Sequence, residues 1–285
     1  MIRLVDVLLR TEKWLRGRGI ESPRLEAELL LAHVLRIDRL KVYLLHDRPM
    51  AEHELEALRP LVARRGQREP LSWILGGRGF HTIDLVIRPG VLDPRPDTEA
   101  LVDAVLAVIP AEREEPLYVA DIGCGSGAVG LAIAHARPCV RLYAVDVDEV
   151  ALAVTKENIE RLGLEKRAGT CRGDLLEGVP AGRPVDWVVS NPPYVSTGEI
   201  DGLMPEVARH EPRLALDGGA DGLDVYRRLI PMAAARAREG LAVEVGHRQA
   251  ARVLDLFRRS GLCELRTEAD LGGVDRVVMG LVAPA

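Results

Sequence analysis

Val119-Ala120-Asp121-Ile122-Gly123-Cys124-Gly125-Ser126-Gly127 runs an apolar strand pattern directly into three alternating glycines. Nineteen residues later Asp146 ends Arg141-Leu142-Tyr143-Ala144-Val145-Asp146. Glycines let the backbone turn tightly and meet a ligand with no Cβ in the way. An acid at the end of the next strand is placed to accept hydrogen bonds from ribose hydroxyls. Outward from this stretch, strands are expected at 117–122, 140–147, 168–173, 185–190, 241–245, 262–268 and 275–282. Helices fill the gaps, most clearly at 128–136, 149–162, 221–238 and 247–260. One more helix, 97–109, opens on Asp97-Thr98-Glu99, acids at the positive end of a helix dipole. Strands alternating with helices need crossover connections, so an α/β, Rossmann-like and mainly parallel sheet is predicted.

Before the sheet the pattern is helical. Leu4, Val5, Leu8, Leu9 and Leu15 recur at helical spacing. Ser22-Pro23 suits a helix start, Ser as cap and Pro in the first turn, with Leu25, Leu29, Leu30 and Val34 as the inner face. A third helix carries Leu40, Tyr43 and Leu44. A fourth runs from about Ala51 to Arg65, with Pro60 kinking or ending it. Gly76-Gly77-Arg78-Gly79 then breaks the helix, Phe80 to Arg88 alternates, and Pro89-Gly90 signals a turn. The expected division is a helical domain over 1–75, a β-hairpin linker over 76–92 and an α/β domain over 93–285.

The 285 residues have a net charge of -5, unevenly spread: residues 1–75 carry 14 Lys and Arg against 11 Asp and Glu, and the remainder is net acidic. Affinity for nucleic acid rests largely on phosphate neutralisation, so this balance argues against direct sequence-specific nucleic-acid binding. No run of about 20 uncharged apolar residues suggests a membrane helix. The charged N-terminus does not read as a signal peptide. Cysteines 124, 139, 171 and 263 form no C-x-x-C pair, and the histidines are scattered. The expectation is a cytoplasmic protein with reduced thiols and no metal site.

What the glycine loop holds has two readings. Gly125-Ser126-Gly127-Ala128-Val129-Gly130 is itself G-x-G-x-x-G, which a dinucleotide would use. That register starts two residues late, and Asp121 immediately before the loop would repel a pyrophosphate. It suits a cationic ligand such as S-adenosylmethionine, which has a sulfonium, an ammonium and no phosphate. The fourth strand of the sheet leads into Asn191-Pro192-Pro193-Tyr194. Prolines cannot continue a central strand, so they lock a turn at the sheet edge where ligands bind. Such a turn fixes an amide, carbonyls and an aromatic face. Asn191 Oδ1 and the Pro192 carbonyl could accept from a planar NH2 group while Tyr194 stacks on its plane, a set of catalytic and substrate-binding positions for methyl transfer to nitrogen.

Together these residues resemble a class I S-adenosylmethionine-dependent methyltransferase. Glu69-Pro70-Leu71-Ser72-Trp73-Ile74-Leu75-Gly76, Arg95-Pro96-Asp97-Thr98-Glu99, Glu211-Pro212, Asp221-Gly222-Leu223-Asp224-Val225-Tyr226, Glu244-Val245-Gly246-His247-Arg248-Gln249 and Asp270 to Arg276 make the resemblance more specific. Over essentially the whole chain it is similar to the HemK/PrmC family, the peptide chain release factor glutamine N5-methyltransferases. The resemblance implies a helical N-domain, a hairpin linker and a seven-stranded methyltransferase sheet. It implies methylation of the glutamine in the Gly-Gly-Gln motif of release factors, with S-adenosylhomocysteine as product. It carries cofactor binding onto Gly123 to Gly127, Asp146, Asp174, Leu175 and Asn191, and substrate binding onto Asn191, Pro192, Pro193 and Tyr194. Leu175 departs from a bulky aromatic common there, so any adenine contact is aliphatic. Asp93 replaces a usual aliphatic residue.

Other readings stay open. The same tetrapeptide would serve the exocyclic amine of a flipped base, and a non-catalytic cofactor-binding adaptor is a third possibility. Arg95, Thr98 and Glu99 are either caps and a surface ion pair or, from the resemblance, a wall near the transferred methyl. Phe80 reads as packing and Glu244 as a residue at the ligand edge. Arg59, Arg64, Arg65 and Arg68 read either as a solvated basic face or as a surface by which the N-domain meets a protein partner.

Overall fold

The computed structural model describes residues 2–270 and 272–283. The chain divides into two compact units. One comprises Met1–Gly76 together with Pro205–His210, and the other Gly77–Met204 with Glu211–Ala285.

The helical unit contains α1 (Leu4–Arg16), α2 (Pro23–Leu35), α3 (Arg39–Leu44), α4 (Glu52–Gly66) and α5 (Leu71–Leu75). Its core is built on Leu4, Leu8, Leu15, Leu30, Leu31, Val42, Leu58 and Ile74. The inner faces differ from the expected ones. On α2 the buried apolar residues are Ala27, Leu30, Leu31 and Ala32, while Leu25 is exposed and Leu29 and Val34 are half-buried. On α3 the single buried side chain is Val42; Leu40 and Leu44 are 69% and 72% exposed. A six-residue helix is too short for its apolar periodicity to fix a face, so packing decides. Pro23 occupies the first turn as expected, but the Ser22 side chain makes no capping bond. Pro60 lies inside α4 and does not end it.

The helical pattern ends at Gly76, the left-handed cap of α5, and in the second unit β1 (Gly77–Phe80) and β2 (Ile83–Val86) form the antiparallel hairpin. Phe80 is buried. A short 3₁₀ turn, Pro96–Thr98, precedes α6 (Glu99–Val108). Then come β3 (Leu117–Ile122), α7 (Ala128–Ala136), β4 (Val140–Asp146), α8 (Glu149–Arg161), β5 (Ala168–Arg172) and β6 (Trp187–Ser190). The chain continues through α9 (Pro205–His210, part of the helical unit), α10 (Asp224–Arg236), β7 (Gly240–Glu244), α11 (Ala250–Arg259), β8 (Leu262–Ala269) and β9 (Asp275–Val282).

The seven strands lie in the order β5-β4-β3-β6-β7-β9-β8. All pairs are parallel except those of β9, which runs antiparallel to β7 and β8. The order reverses between β3 and β6, whose carboxyl ends bear the glycine loop and the tetrapeptide. That crevice is where open α/β sheets bind ligands.

Candidate active site

The glycine loop leaves β3 with Gly123, Gly125 and Gly127 at φ 69°, 56° and 82°, a region that side chains disfavour. The backbone N–H groups of Gly123 and Cys124 donate to the Val145 carbonyl at 2.9 and 3.0 Å, pinning the loop to the end of β4. Asp146, on that strand end, accepts from Gly125 N through Oδ2 and from Asp148 N through Oδ1, each at 3.0 Å. Burial raises the Asp146 pKa against these bonds. Beneath the loop Asp121 is fully enclosed and accepts from Gly130 N at 2.9 Å. Burial pushes it to about 7, with the nearby Asp146 charge adding to the rise. Gly130 is required by this approach: a Cβ there would meet Asp121 Cβ and Oδ2 at 2.9 Å. Cys124 is buried, its Sγ 3.6 Å from Thr155 Oγ1, and burial raises its thiol well above the ordinary value, which disqualifies it as a nucleophile.

These elements surround a cavity of about 430 Å³. Gly123, Cys124, Gly125, Ser126, Asp146, Asp174, Leu175, Asn191, Pro192 and Pro193 all line it. Gly127 and Tyr194 are not among its lining residues. Gly127 caps α7 at φ 82°, a left-handed setting that favours glycine, and an added Cβ would also meet Leu131 Cδ1 at 2.6 Å. Leu175 lines the cavity at φ 51°, a strained setting for a non-glycine residue. The charged lining residues are Asp121, Asp146, Asp148, Asp174 and Arg228, and Arg228 is already paired with Asp174. A lining of four acids and one neutralised arginine suits a cationic ligand and disfavours a pyrophosphate.

The opposite wall is the tetrapeptide. Ser190 Oγ donates to the Ile122 carbonyl at 2.6 Å, tying the ends of β3 and β6 together. Asn191 Nδ2 donates to Thr98 Oγ1 at 3.1 Å, which leaves Oδ1 as its free acceptor. The Tyr194 hydroxyl donates to Glu244 Oε1 at 3.2 Å, and Gln249 Nε2 donates to the Tyr194 carbonyl at 2.9 Å. Burial raises Glu244 to about 7, although the Thr98 and Tyr194 hydroxyls and Arg276 pull it down. Burial lifts the Tyr194 hydroxyl above its ordinary range.

The residues weighed around the helix start separate. Thr98 is buried on the cavity wall. Glu99 instead accepts from His81 N at 3.1 Å, and Arg95 is bound by both oxygens of buried Glu211 at 2.7 and 2.6 Å. Asp93 is neutralised by Arg78 at 2.9 Å. The arginine run divides: Arg59 is solvent-exposed and pairs with exposed Glu52, whereas Arg65 and Arg68 are not part of a solvated face. Arg65 is buried between Glu26 and Glu206, Arg68 binds Glu206 at 2.5 Å, and Arg64 binds Glu69 at 2.5 Å. Gln249 had no assigned role in the sequence. Its signal was its place five residues beyond Glu244, on the turn that leaves the fifth parallel strand.

Comparison with known proteins agrees with this geometry. Residues 6–76 match the PrmC N-terminal domain and residues 98–219 the methyltransferase small domain. The release factor glutamine methyltransferase of Geobacter sulfurreducens is 43% identical, covering 97% of this chain and 95% of its own. That of Caulobacter vibrioides is 40% identical, covering 99% and 98%. The N-terminal domain of human METTL16, solved in complex with SAH, shares the fold with a TM-score of 0.51 at 15% identity, over 70% of this chain and 76% of that one. Full-length identity of this order, on a chain whose tetrapeptide and glycine loop meet in one cavity, shows that it belongs to the release factor glutamine methyltransferase family.

Proposed function

We propose that this chain transfers a methyl group from S-adenosylmethionine to the side-chain amide nitrogen of the glutamine in the Gly-Gly-Gln motif of peptide chain release factors. The observation that carries the reading is the Asn191 amide. Nδ2 is turned to Thr98, donating one of its two hydrogens there, so the Oδ1 acceptor is presented at the wall of an acid-lined cavity.

The residues fit the methyl donor. Gly123 and Gly125 present backbone with no atom within 4 Å of where a Cβ would stand, so the loop offers an open cradle. Asp146, oriented by two backbone donors, would hold the ribose, and Asp121 would face the cationic end. Asp174 and Leu175 would border the base, with an aliphatic contact from Leu175. The donor, when bound, supplies a methyl already activated on a positively charged sulfur.

The chain's own contribution is positioning. Asn191 Oδ1 and the Pro192 carbonyl would each accept one hydrogen of the glutamine NH2, drawing the nitrogen out of conjugation and holding its lone pair toward the methyl. Pro193 keeps the turn rigid. Tyr194 would bound the planar amide, and its bonds to Glu244 and Gln249 fix its place. Orientation of this kind supplies a large part of a barrier reduction when the electrophile needs no further activation.

Incubation with a purified release factor and labelled methyl donor tests the reading. Mass spectrometry is expected to find one added methyl on the Gly-Gly-Gln glutamine. Label appearing in duplex DNA or ribosomal RNA, with the factor unmodified, would favour base methylation. Label in neither would favour a non-catalytic adaptor.

A further inference from the structure

We infer, on the footing of the methyl-donor reading above, that Thr155 and Asn158 are positioning residues that hold the glycine loop in its binding shape before the donor arrives. They stand three apart on α8, hence on one face of that helix, and both are fully buried. The Thr155 hydroxyl donates to the Gly125 carbonyl at 2.8 Å. Asn158 Nδ2 donates to the Ser126 carbonyl at 2.9 Å. Two successive carbonyls of the loop are thus gripped by one helix. The Thr155 methyl sets a limit at the next residue, since a Cβ on Gly127 would meet Thr155 Cγ2 at 3.0 Å.

A glycine loop needs such support. Glycine loses more backbone freedom on ordering than any other residue, and Gly123 and Gly125 have no side chain with which to pack. The N–H groups of Gly123, Cys124 and Gly125 are tied to the end of β4 through Val145 and Asp146. The Gly125 and Ser126 carbonyls are tied to α8. With both held, the cost of ordering the loop is met on folding rather than on binding, which raises affinity. Asn158 extends the support. Nδ2 also donates to the Val86 carbonyl at 3.0 Å, and Oδ1 accepts from Val86 N at 2.7 Å, so both amide hydrogens and the oxygen are in use. Val86 ends β2, and Gly90, Val91 and Leu92 shortly beyond it line the cavity. One buried amide therefore anchors two stretches that lead into the cavity wall, the loop and the chain leaving the hairpin.

The test uses the full chain, with S-adenosylhomocysteine calorimetry and with hydrogen exchange of the ligand-free protein. Thr155→Ala removes the hydroxyl and Thr155→Ser keeps it. Thr155→Ala is expected to weaken S-adenosylhomocysteine binding roughly 3- to 10-fold, the scale of one hydrogen bond, and Thr155→Ser to recover most of the affinity. The amides of 123–127 should exchange faster in ligand-free Thr155→Ala than in the parent, and regain protection when S-adenosylhomocysteine is bound. In methyl transfer the loss should fall on KM for the donor far more than on kcat. Thr155→Val removes the hydroxyl with the shape kept, and carries the comparison should Thr155→Ala fail to fold. Asn158→Leu removes three bonds at similar volume and should weaken binding further.

Parent-like S-adenosylhomocysteine affinity in Thr155→Ala, Thr155→Val or Asn158→Leu overturns the proposal while the donor reading stands. So does a Thr155→Ser variant as weak as Thr155→Ala, because size rather than the hydroxyl would then matter. Loop amides that exchange at the unprotected rate in the ligand-free parent overturn it as well, whatever the variants do. A parent chain that does not bind S-adenosylhomocysteine overturns the donor reading and the proposal together.

Discussion

At the scale of single residues, the two buried acids and the tetrapeptide amide carry the sharpest consequences. Asp121 is pushed to about 7 by burial, far above its unfolded value. For an acid whose pKa is raised on folding, the associated stability is complete below the unfolded pKa and is lost as pH rises through the folded one. The protein without ligand should therefore lose melting temperature as pH rises from about 4 to about 7. Asp121→Asn keeps an acceptor for Gly130 N but cannot ionise, so the drop should narrow. Glu244, also raised to about 7, retains part of it. On the proposed reading, in which Asp121 would face the cationic end of the ligand, the same variant should weaken S-adenosylhomocysteine binding. Thermal melts and calorimetry across that range check both halves, and an unchanged slope would remove Asp121 from the explanation. Asn191→Ala removes Oδ1 and leaves the loop and Asp146 in place. Its turnover should fall about 10²–10³-fold, as when one preorganised hydrogen-bonding group is deleted, with cofactor affinity nearly kept. Single-turnover rates at saturating donor, with binding measured separately, decide it.

At the scale of elements, the close packing of α7 against β3 and β4 is what holds the glycine loop. A Cβ on Gly130 would lie 2.7 Å from Leu142 Cδ1 and 2.9 Å from Asp121 Cβ. Gly130→Ala should force the helix away from the strands, at a cost of about 1–3 kcal/mol in the manner of an overpacked core. The shift should also loosen Asp121 and reduce ligand affinity, which denaturant melts and calorimetry on one sample would show. The tetrapeptide is held by elements far away in sequence. Val195 N donates to the Leu216 carbonyl at 2.9 Å and Gly218 N to the Val195 carbonyl at 2.8 Å, so the chain leaving the turn is fastened at once. A Cβ on Gly222 would stand 2.3 Å from the Tyr194 carbonyl. The rigidity supplied by two prolines is thus continued by backbone pairing and by Gln249.

At the scale of the whole molecule, α9 is part of the helical unit although its neighbours in sequence belong to the α/β unit. Its Glu206 binds Arg65 and Arg68, and Arg65 is also held by Glu26. Removing one partner of a buried ion cluster strands the others, at a cost of roughly 3–5 kcal/mol. Arg65→Ala should lower the stability of the helical unit and expose residues 205–210 to limited proteolysis. S-adenosylhomocysteine binding, which depends on the other unit, should be preserved. Uncleaved 205–210 at unchanged melting temperature would show the cluster to be dispensable. Among the described residues no helix is long and apolar enough to cross a membrane.

The sequence by itself determined the sheet, the glycine loop, the strand-end acid and the tetrapeptide, because each is encoded locally. Strands alternate with helices, glycines mark positive φ, and prolines end a strand. β9 was legible to the residue, at 275–282. Only the tertiary structure decided the inner faces of α2 and α3, where short apolar runs fit more than one packing. It alone turned Arg65 and Arg68 inward, since their partner Glu206 lies some 140 residues along the chain. The same holds for the Asn191–Thr98 bond, the approach of Glu244 to Tyr194, and the division of labour among Arg95, Thr98 and Glu99. Hydrogen bonds between groups brought together by sheet order leave no periodic trace in sequence, whereas the turns that make the sheet order possible do.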